Sequence, residues 1–401
     1  MLMRRSHQSP LALAGVLLLG LLGGCTPGPN VDKAELSAIV ERDGVAFTDV
    51  ELPTQIVGDL ASHRVVILGE THHLREHWEL TAALLEDLHV RGFRQLLVEQ
   101  PQMADWWLDG YVGAGEFDPG WDPPPNWVRK FAGIRAFNEN LPVEDRIHVR
   151  AIDANEAYYG GAESFRSLLG GLVGLLQHEG PVEPYLEADQ STVEAQREAL
   201  TRLATALEAD GPSLIGTWGS GWYAAVVEMV EVEMASIDIR VEREKDDNAA
   251  ARAREEVIKE LADARIGESK HGTVINIGGH HAQKSPLKGT DQELLGDYLA
   301  HSSAAIDGSV VVVGFTSAKT LLEPGAGGTP FDIIQTSPED ELLRLLAETW
   351  PGTNVYLPLD DPIFSEKRIA YNSEDVIYAT PLHDVYDAVI QYGVAHRWPA
   401  D

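Results

Sequence analysis

Acidic residues and histidines follow four short apolar segments of the sequence, and their side chains could carry out acid–base chemistry. The segments end in Gly69-Glu70-Thr71-His72-His73, in Glu99-Gln100, in Asp153 with Asn155, and in Gly278-Gly279-His280-His281. A histidine can accept a proton from water near neutral pH, and a carboxylate can orient it and stabilise its charged form. We therefore predict a hydrolytic site. Its predicted catalytic residues are Glu70, His72, His73, Glu99, His280 and His281. The pattern does not distinguish the two histidines within each pair.

Other hydrolytic nucleophiles lack their sequence signatures. Cys25 is the only cysteine of the 401 residues, and it lies far from the segments above. No Gly-x-Ser-x-Gly motif is present, so the usual serine-hydrolase elbow is missing. We expect an activated water molecule to be the nucleophile.

A metal site is the alternative interpretation of the same histidines. The segment His73-Leu74-Arg75-Glu76-His77 matches H-x-x-E-H, a pattern that one class of zinc proteases carries on a helix. A looser set of His72 or His73, Glu99 and His281, completed by water, would also suit zinc. Because a five-residue match arises easily by chance, we expect no cofactor, with zinc or haem as the alternatives.

Hydrophobic runs in the sequence predict the strands and helices that must position these residues. Most of the runs are continuous, as expected for strands that are covered on both faces. They are 65–68, 95–98, 148–152, 274–277, 310–315, 376–379 and 388–392. Helical periodicity lies between many of them, for example at Leu80, Leu84 and Leu88. This alternation predicts an α/β fold with a mostly parallel central sheet and helices on both faces. In such sheets the site lies beyond the carboxyl ends of the strands.

Helical periodicity in the middle of the chain predicts a helical insertion at about residues 160–265. This insertion would form a cap over the sheet. A capping box at Ser191–Glu194 begins one helix, and Gly211-Pro212 is expected to end it. A longer helical pattern runs from about Trp222 to Ala264, and its mixed-charge part, Arg240–Arg254, is interpreted as a solvent-facing surface.

The first residues resemble a bacterial lipoprotein signal. Arg4 and Arg5 precede an apolar run at 11–22, and Leu22-Gly23-Gly24-Cys25 resembles a lipobox. We predict a signal peptide at 1–24, lipidation of Cys25, a tether and lead-in at 25–52, and a single domain at 53–401. The expected location is the bacterial cell envelope.

The charge of the chain limits its partners. Without Arg4 and Arg5 of the predicted signal, 29 Lys and Arg face 63 Asp and Glu, a formal charge of −34. So acidic a surface repels nucleic acid and anionic lipid. Membrane attachment is therefore expected through the lipid alone, and the expected partner is a small-molecule or peptide substrate.

Several blocks of the sequence resemble the erythromycin esterase-like group, which belongs to a superfamily with the ChaN haem-uptake lipoproteins and the Tiki proteases. The opening blocks are Val65–His73 (VVILGETHH) and Gly92–Gln100 (GFRQLLVEQ). The later ones are Arg135–Asn138, His148–Asp153, the Arg243-Glu244 pair, Asn276–Ala282 (NIGGHHA) and Tyr386–Ile390. The blocks occur in the family's order across about residues 55–395.

The resemblance implies a parallel-sheet fold and metal-independent hydrolysis of an ester or amide by a histidine-activated water. It implies a base at His73, three residues after Glu70, with Glu99 and His281 or His280 in support. It further implies that substrate-binding residues are Arg135, Asn138 and Asp153. The sequence departs from the family's pattern at Leu74, where glycine is usual, and at Thr81 and Ala82, where an arginine is expected.

An alternative register pairs Gly69-x-x-His72 with Gly278-x-x-His281 and looks more like the Tiki and ChaN branches. That register implies one of two other functions. One is a ChaN-like lipoprotein that binds haem or another ligand without catalysis. The other is a Tiki-like metal-dependent protease.

Overall fold

The computed structural model describes most of the chain beyond the predicted signal. The described residues are 32–113, 115, 117, 123–155, 161–178, 180–286, 291–306, 309–324, 331–332, 341–366, 369, 372–373, 376–377 and 381–399. Cys25 and the predicted signal lie outside the described residues. No described helix is long and apolar enough to cross a membrane.

A central sheet of eight strands organises the fold, in the order β1-β9-β12-β6-β2-β5-β3-β4. The strands from β12 to β4 are parallel to their neighbours, whereas β9 pairs antiparallel with both β1 and β12. The eight strands are β1 (Val45–Phe47), β2 (Val65–Glu70), β3 (Phe93–Pro101), β4 (His148–Asp153), β5 (Gly272–Gly278), β6 (Val310–Ser317), β9 (Asn354–Pro358) and β12 (Ala388–Tyr392).

Smaller strands lie outside the central sheet. One set of three comprises β7 (Lys319–Leu322), β8 (Phe331–Asp332) and β13 (Ala395–Arg397), and a pair comprises β10 (Asn372–Ser373) and β11 (Val376–Ile377). An isolated bridge joins Leu74 to Arg397 and ties β13 to the turn after β2.

Helices surround the sheet and fill the middle of the chain. They are α1 (Lys33–Asp43), α2 (Thr54–Leu60), α3 (Arg75–His89), α4 (Asp105–Val112), α5 (Pro125–Asn138), α6 (Gly161–Leu175), α7 (Glu183–Glu187), α8 (Val193–Trp218), α9 (Ser220–Arg243), α10 (Asp247–Glu268), α11 (Gly279–Ala282), α12 (Leu295–His301), α13 (Glu341–Thr349) and α14 (Pro362–Glu366).

The strands alternate their side chains between two hydrophobic cores. Val66 and Leu68 of β2 pack into the core that also contains helices α3, α5 and α8. Val65 and Ile67 of the same strand pack into the core formed with α1, α10 and α13. Both faces of the sheet are thus buried, which explains the continuous apolar runs and confirms the predicted fold class.

The helical insertion lies between β4 and β5 and contains α6 to α10. Thr192 caps α8, its side chain accepting a hydrogen bond from the Ala195 N–H, so the cap lies one residue after Ser191, the first residue of the predicted capping box. The prediction that Gly211-Pro212 ends this helix was wrong, because α8 continues through Pro212 to Trp218. The predicted long helix from Trp222 is divided by a break at 244–246 into α9 and α10.

Candidate active site

The carboxyl ends of β2, β5, β3 and β4 form the central edge at which the predicted residues meet. These four strands are consecutive in the sheet and mutually parallel, so residues at their ends become neighbours. Glu70 is the last residue of β2, Glu99 lies near the end of β3, Asp153 ends β4, and His281 follows β5.

Glu70 and His72 form the first pair of the site. The Nδ1 atom of His72 lies 2.9 Å from Oε1 of Glu70. Glu70 is buried, whereas 54% of the His72 side chain is exposed. The hydrogen bond to Glu70 raises the pKa of His72 to about 9. Burial alone would raise the pKa of Glu70, but its bond to His72 holds that pKa below the ordinary value. The pair leaves Nε2 of this imidazole turned toward Gly278, where an added Cβ would lie 3.2 Å from that nitrogen.

Glu99 and Asp153 share a single guanidinium. Arg254 donates from one nitrogen to Oε1 of Glu99 at 2.7 Å and to Oδ2 of Asp153 at 2.6 Å. Its Nε donates to Oδ1 of Asp153 at 2.8 Å. Asp153 is fully buried, so it holds Arg254 and cannot contact a substrate directly. Asp153 thus positions Arg254 in this structure, and its substrate-binding role stays a prediction.

His281 and Glu255 form a second histidine–carboxylate pair. The Nδ1 atom of His281 lies 2.5 Å from Oε2 of Glu255, whose other oxygen accepts the Leu295 N–H at 2.7 Å. Burial opposes protonation of His281, but the charges of Glu255 and Glu99 outweigh it and raise the pKa of His281. The site therefore contains two imidazoles, each held at Nδ1 by a buried glutamate.

Glu99 lies between the two pairs. Its Oε1 is 3.6 Å from Nε2 of His281, and its Oε2 accepts the Gly278 N–H at 2.7 Å. Burial would raise the pKa of Glu99, but the charges of His281, His72 and Arg254 bring it to about 2. A side chain at position 278 would put its Cβ 3.0 Å from both Glu99 Oε2 and His72 Cε1. Gly278 is therefore what allows these two groups to converge.

The structure distinguishes the histidines within each pair. His73 has a left-handed backbone (φ 68°), its ring centroid lies 6.3 Å from that of His72, and burial lowers its pKa. His280 lies beside Gln283, with 3.4 Å between its Nδ1 and Nε2 of Gln283. His72 and His281 are the members of the two pairs with a described hydrogen bond to a glutamate. The geometry favours the register of His72 with His281.

The histidines and the glutamate of the H-x-x-E-H segment do not come together in one site. Glu76 accepts from the His396 N–H and binds the His396 ring, with 2.6 Å between Oε1 and Nδ1. His77 is fully buried, and its Nε2 accepts the Thr71 N–H at 3.2 Å. Helix α3 begins at Arg75, so His73 precedes the helix on which the zinc-protease pattern depends. These side chains hold the turn after β2 in place.

Arg135 and Asn138 are not brought to this group. Asn138 is fully buried and binds the Ile147 backbone from both its amide atoms, next to the amino end of β4. Arg135 donates to the carbonyl of Tyr111 at 2.5 Å and to that of Gly115 at 2.9 Å. Both side chains tie loops together in this structure, and their substrate-binding roles stay predictions.

Sequence reasoning missed Arg254 and Glu255 of α10. The resemblance placed an arginine–acid pair at Arg243-Glu244, but Arg243 lies near the exposed Asp247, with 3.5 Å between Nε and Oδ1. The same two residue types recur three turns later at Arg254-Glu255. A signal was present, because Arg254 lies four residues after Ala250 and four before Ile258, both fully buried. A charge within an apolar stripe indicates a buried partner.

The paired histidines could offer Nε2 to a divalent metal, because a carboxylate at Nδ1 is the usual partner of a metal-bound histidine. Glu99 is a poor ligand as it is arranged, because both its oxygens accept N–H groups. The guanidinium of Arg254 beside Glu99 would also repel a cation. Among the described residues, no group of three or more His, Cys, Asp or Glu is arranged to hold a metal ion.

Solved structures provide the comparison with known proteins. A Bacillus cereus protein matches with a TM-score of 0.63 and 14% identity, covering 92% of this chain and 99% of that one. A succinoglycan biosynthesis protein matches with a TM-score of 0.64 and 13% identity, covering 91% and 98%. A mutant of the erythromycin esterase EreC in its open conformation matches with a TM-score of 0.60 and 16% identity, covering 87% and 96%.

Other comparisons give weaker similarity. Haem-bound ChaN of Campylobacter jejuni has a TM-score of 0.28, which is too low to establish a shared fold. No protein-family model and no curated protein matches the sequence. The similarity to Tiki proteases stays a prediction. The three closer likenesses establish the fold, and the chain thus folds as an erythromycin esterase-like α/β protein, as its sequence blocks predict.

Proposed function

We propose that the protein is a lipid-anchored hydrolase of the bacterial cell envelope that cleaves an ester or amide through a water activated by His72. The observation that carries this proposal is the 2.9 Å contact of the exposed His72 imidazole with the buried Glu70 carboxylate. Such a pair fixes the tautomer of the histidine and leaves its Nε2 available as a base.

The reaction proceeds by addition and elimination. His72 Nε2 takes a proton from water, and the water oxygen forms a bond to the acyl carbon. The acyl C=O becomes an oxyanion, which the cationic His281 stabilises. The bond to the leaving group then breaks, and His281 protonates that group. Proton transfer through solvent from His72 restores both histidines.

The other charged residues hold this arrangement. Glu255 favours the protonated form of His281, because its charge raises the pKa of that imidazole against the effect of burial. Glu99 lies between the two histidines, and its full set of N–H donors prevents it from acting as a competing base. The predicted lipid on Cys25 would keep the domain at a membrane that its acidic surface cannot bind. Mass spectrometry of membrane-extracted protein tests that part, with Cys25→Ser as the control.

The proposal is tested by hydrolysis of a panel of chromogenic esters and anilides. His72→Asn and Glu70→Gln should lower kcat by about 10²-fold or more, the usual size of a general-base contribution. His73→Asn is the matched control, since asparagine tolerates the left-handed backbone at that position. It should keep most of the activity. Loss of activity in His73→Asn with retention in His72→Asn would contradict the assignment.

Two further measurements separate this proposal from the alternatives. Incubation with a chelator should leave hydrolysis unchanged, whereas a metal-dependent protease would lose activity and regain it with zinc. Haem titration should give no Soret shift that depends on His72 or His73. A histidine-dependent shift in a protein without turnover would favour a ligand-binding lipoprotein instead.

A further inference from the structure

The helical insertion carries a helical turn without charged residues. Gly219 joins α8 to α9 in a tight turn, which its left-handed backbone (φ 85°) allows, and the two helices pack against each other. From residue 211 to residue 227, on both sides of this turn, the chain contains no Asp, Glu, Lys or Arg. Ile215 of α8 and Trp222 of α9 are 43% and 37% exposed. Two large apolar side chains thus meet solvent beside the turn.

The end of helix α6 adjoins this turn. The indole N–H of Trp218 donates to the His178 carbonyl at 3.2 Å, and the rings of these two residues lie 6.2 Å apart. Leu175, the last residue of α6, is 38% exposed, and residues 167–178 contain no Asp, Glu, Lys or Arg. We call the surface formed by Leu175, Ile215 and Trp222 the apolar tip.

The composition of the apolar tip differs from that of the rest of the protein. Seven large hydrophobic side chains are exposed among the described residues, and three of them form the tip. Its two segments, of 12 and 17 residues, have no charged side chain, although 23% of the residues of the chain are charged. Exposed apolar side chains that lie together mark a surface that binds a partner.

The charge of the protein favours a lipid surface as this partner. With a formal charge of −32, the protein repels other acidic surfaces and anionic lipid. A tip without charge can approach a bilayer of neutral headgroups with little repulsion, and tryptophan is enriched at the headgroup level of membranes. The exposed residues between Ile215 and Trp222 are glycines and hydroxyl side chains, which headgroups and water can solvate, namely Gly216, Thr217, Gly219, Ser220 and Gly221.

We propose that the apolar tip docks on a bilayer of neutral phospholipid, with the indole of Trp222 at the level of the headgroups. The inference goes beyond the proposed function, because it does not require hydrolysis. The tip is then a second point of contact beside the predicted lipid on Cys25. Two points of contact limit how the domain can turn over the membrane, whereas a lipid alone leaves its orientation free.

The test measures contact of the tip with vesicles that contain only phosphatidylcholine. The protein is the chain from residue 25 onward with Cys25→Ser, which retains every described residue and has neither cysteine nor lipid. Ser220→Cys then provides a single thiol at the exposed turn for an environment-sensitive dye. Millimolar lipid should shift the dye emission to the blue, and spin-labelled phosphatidylcholine should quench it, because the dye enters the headgroup region.

Matched variants isolate the effect. Thr201→Cys places the dye at an exposed position of α8 about 25 Å from the turn, and its emission should not change. Trp222→Asp should lower the vesicle partition coefficient of the Ser220→Cys protein by about tenfold or more, since a large apolar side chain is replaced by a charge. Val90→Asp makes a similar change at a side chain that is 79% exposed outside the tip, and it should leave the coefficient unchanged.

Several results would overturn the inference. Equal emission changes at positions 220 and 201, or none at either, would show that the tip does not contact lipid. Tighter binding to phosphatidylglycerol vesicles would do the same, because the tip has no cation that could recognise anionic lipid. A blue shift that grows with protein concentration without vesicles would show that a second copy of the chain covers the tip. None of these measurements depends on hydrolysis, so the proposed function is tested separately.

Discussion

The Nδ1 atom of His281 lies 2.5 Å from Oε2 of Glu255, a carboxylate that reaches the sheet edge from helix α10. Glu255 is 1% exposed, so its charge acts on the imidazole with little solvent screening. The insertion thus does more than cover the site, because it provides the partner of one of the two proposed catalytic histidines.

Glu255→Gln should remove the charge that most strongly favours protonation of His281. The pKa of His281 should fall toward its ordinary value or below, since burial is then opposed only by Glu99. We expect kcat to fall by about 10²-fold at neutral pH, the size of a lost general-acid contribution. Titration of His281 by NMR and steady-state kinetics measure the two effects. An unchanged kcat would remove His281 from the mechanism.

The pH dependence of hydrolysis should report His72. A base must be deprotonated, and its pKa of about 9 means that the active form grows as the pH rises through that value. The acid limb of the rate profile should therefore follow His72, whereas the rate should fall at the pH where His281 loses the proton that the mechanism requires. In Glu70→Gln the hydrogen bond that raises the pKa of His72 is weakened, so the acid limb should move to lower pH. An acid limb at the same pH in both proteins would contradict the pairing of these residues.

Arg254→Met should destabilise the fold strongly. The substitution leaves Asp153 and Glu99 without their shared cation, and Asp153 is fully buried. Removing one partner of a buried ion pair costs about 3–5 kcal/mol of unfolding free energy. Arg202→Met is the matched control, because its exposed contact with Glu198 should contribute at most about 1 kcal/mol. Denaturant unfolding compares the two, and equal effects would argue against the bridge.

His77 should make the fold sensitive to acid. Burial lowers the pKa of His77 to about 4, so the folded protein holds this ring neutral while the unfolded chain protonates it near pH 6.5. The contribution of His77 to the free energy of unfolding is fully present above pH 6.5, the pKa in the unfolded chain. It is lost as the pH falls toward 4. The loss is on the order of 3 kcal/mol, from about 1.4 kcal/mol for each unit of pKa.

His77→Gln should flatten the acid side of the stability curve, since the amide keeps an acceptor for the Thr71 N–H but does not titrate. His271→Gln, a change at an exposed position, should leave the curve unaltered. Unfolding free energies measured from pH 7 to pH 4 test the contrast. Parallel curves for all three proteins would show that His77 does not carry the effect.

Much of the sheet was predictable because its strands are buried on both faces and therefore appear as continuous apolar runs. The runs at 65–68, 95–98 and 274–277 correspond to β2, β3 and β5. Shorter strands such as β1 and β13 were not predicted, because three residues carry too little pattern to distinguish a strand from a loop. Residues 378–379 of the predicted run at 376–379 lie outside the described residues.

The candidate site was predictable wherever a residue directly ends a strand, as Glu70 and Asp153 do. Local sequence did not reveal which strand-end residue a distant helix would bind. Arg254 lies in a mixed-charge run, and only its place on the buried stripe of α10 distinguishes it from the solvent-facing charges around it. The choice between His72 and His73 likewise depended on the left-handed turn at His73.

The bridge made by Arg254 joins residues that are 101 and 155 positions away along the chain. Closing such long loops is entropically unfavourable until much of the intervening chain is ordered, so contacts of this kind form late in folding. A refolding chain should therefore regain its helices before it regains turnover. The time at which activity returns would therefore mark the completion of folding.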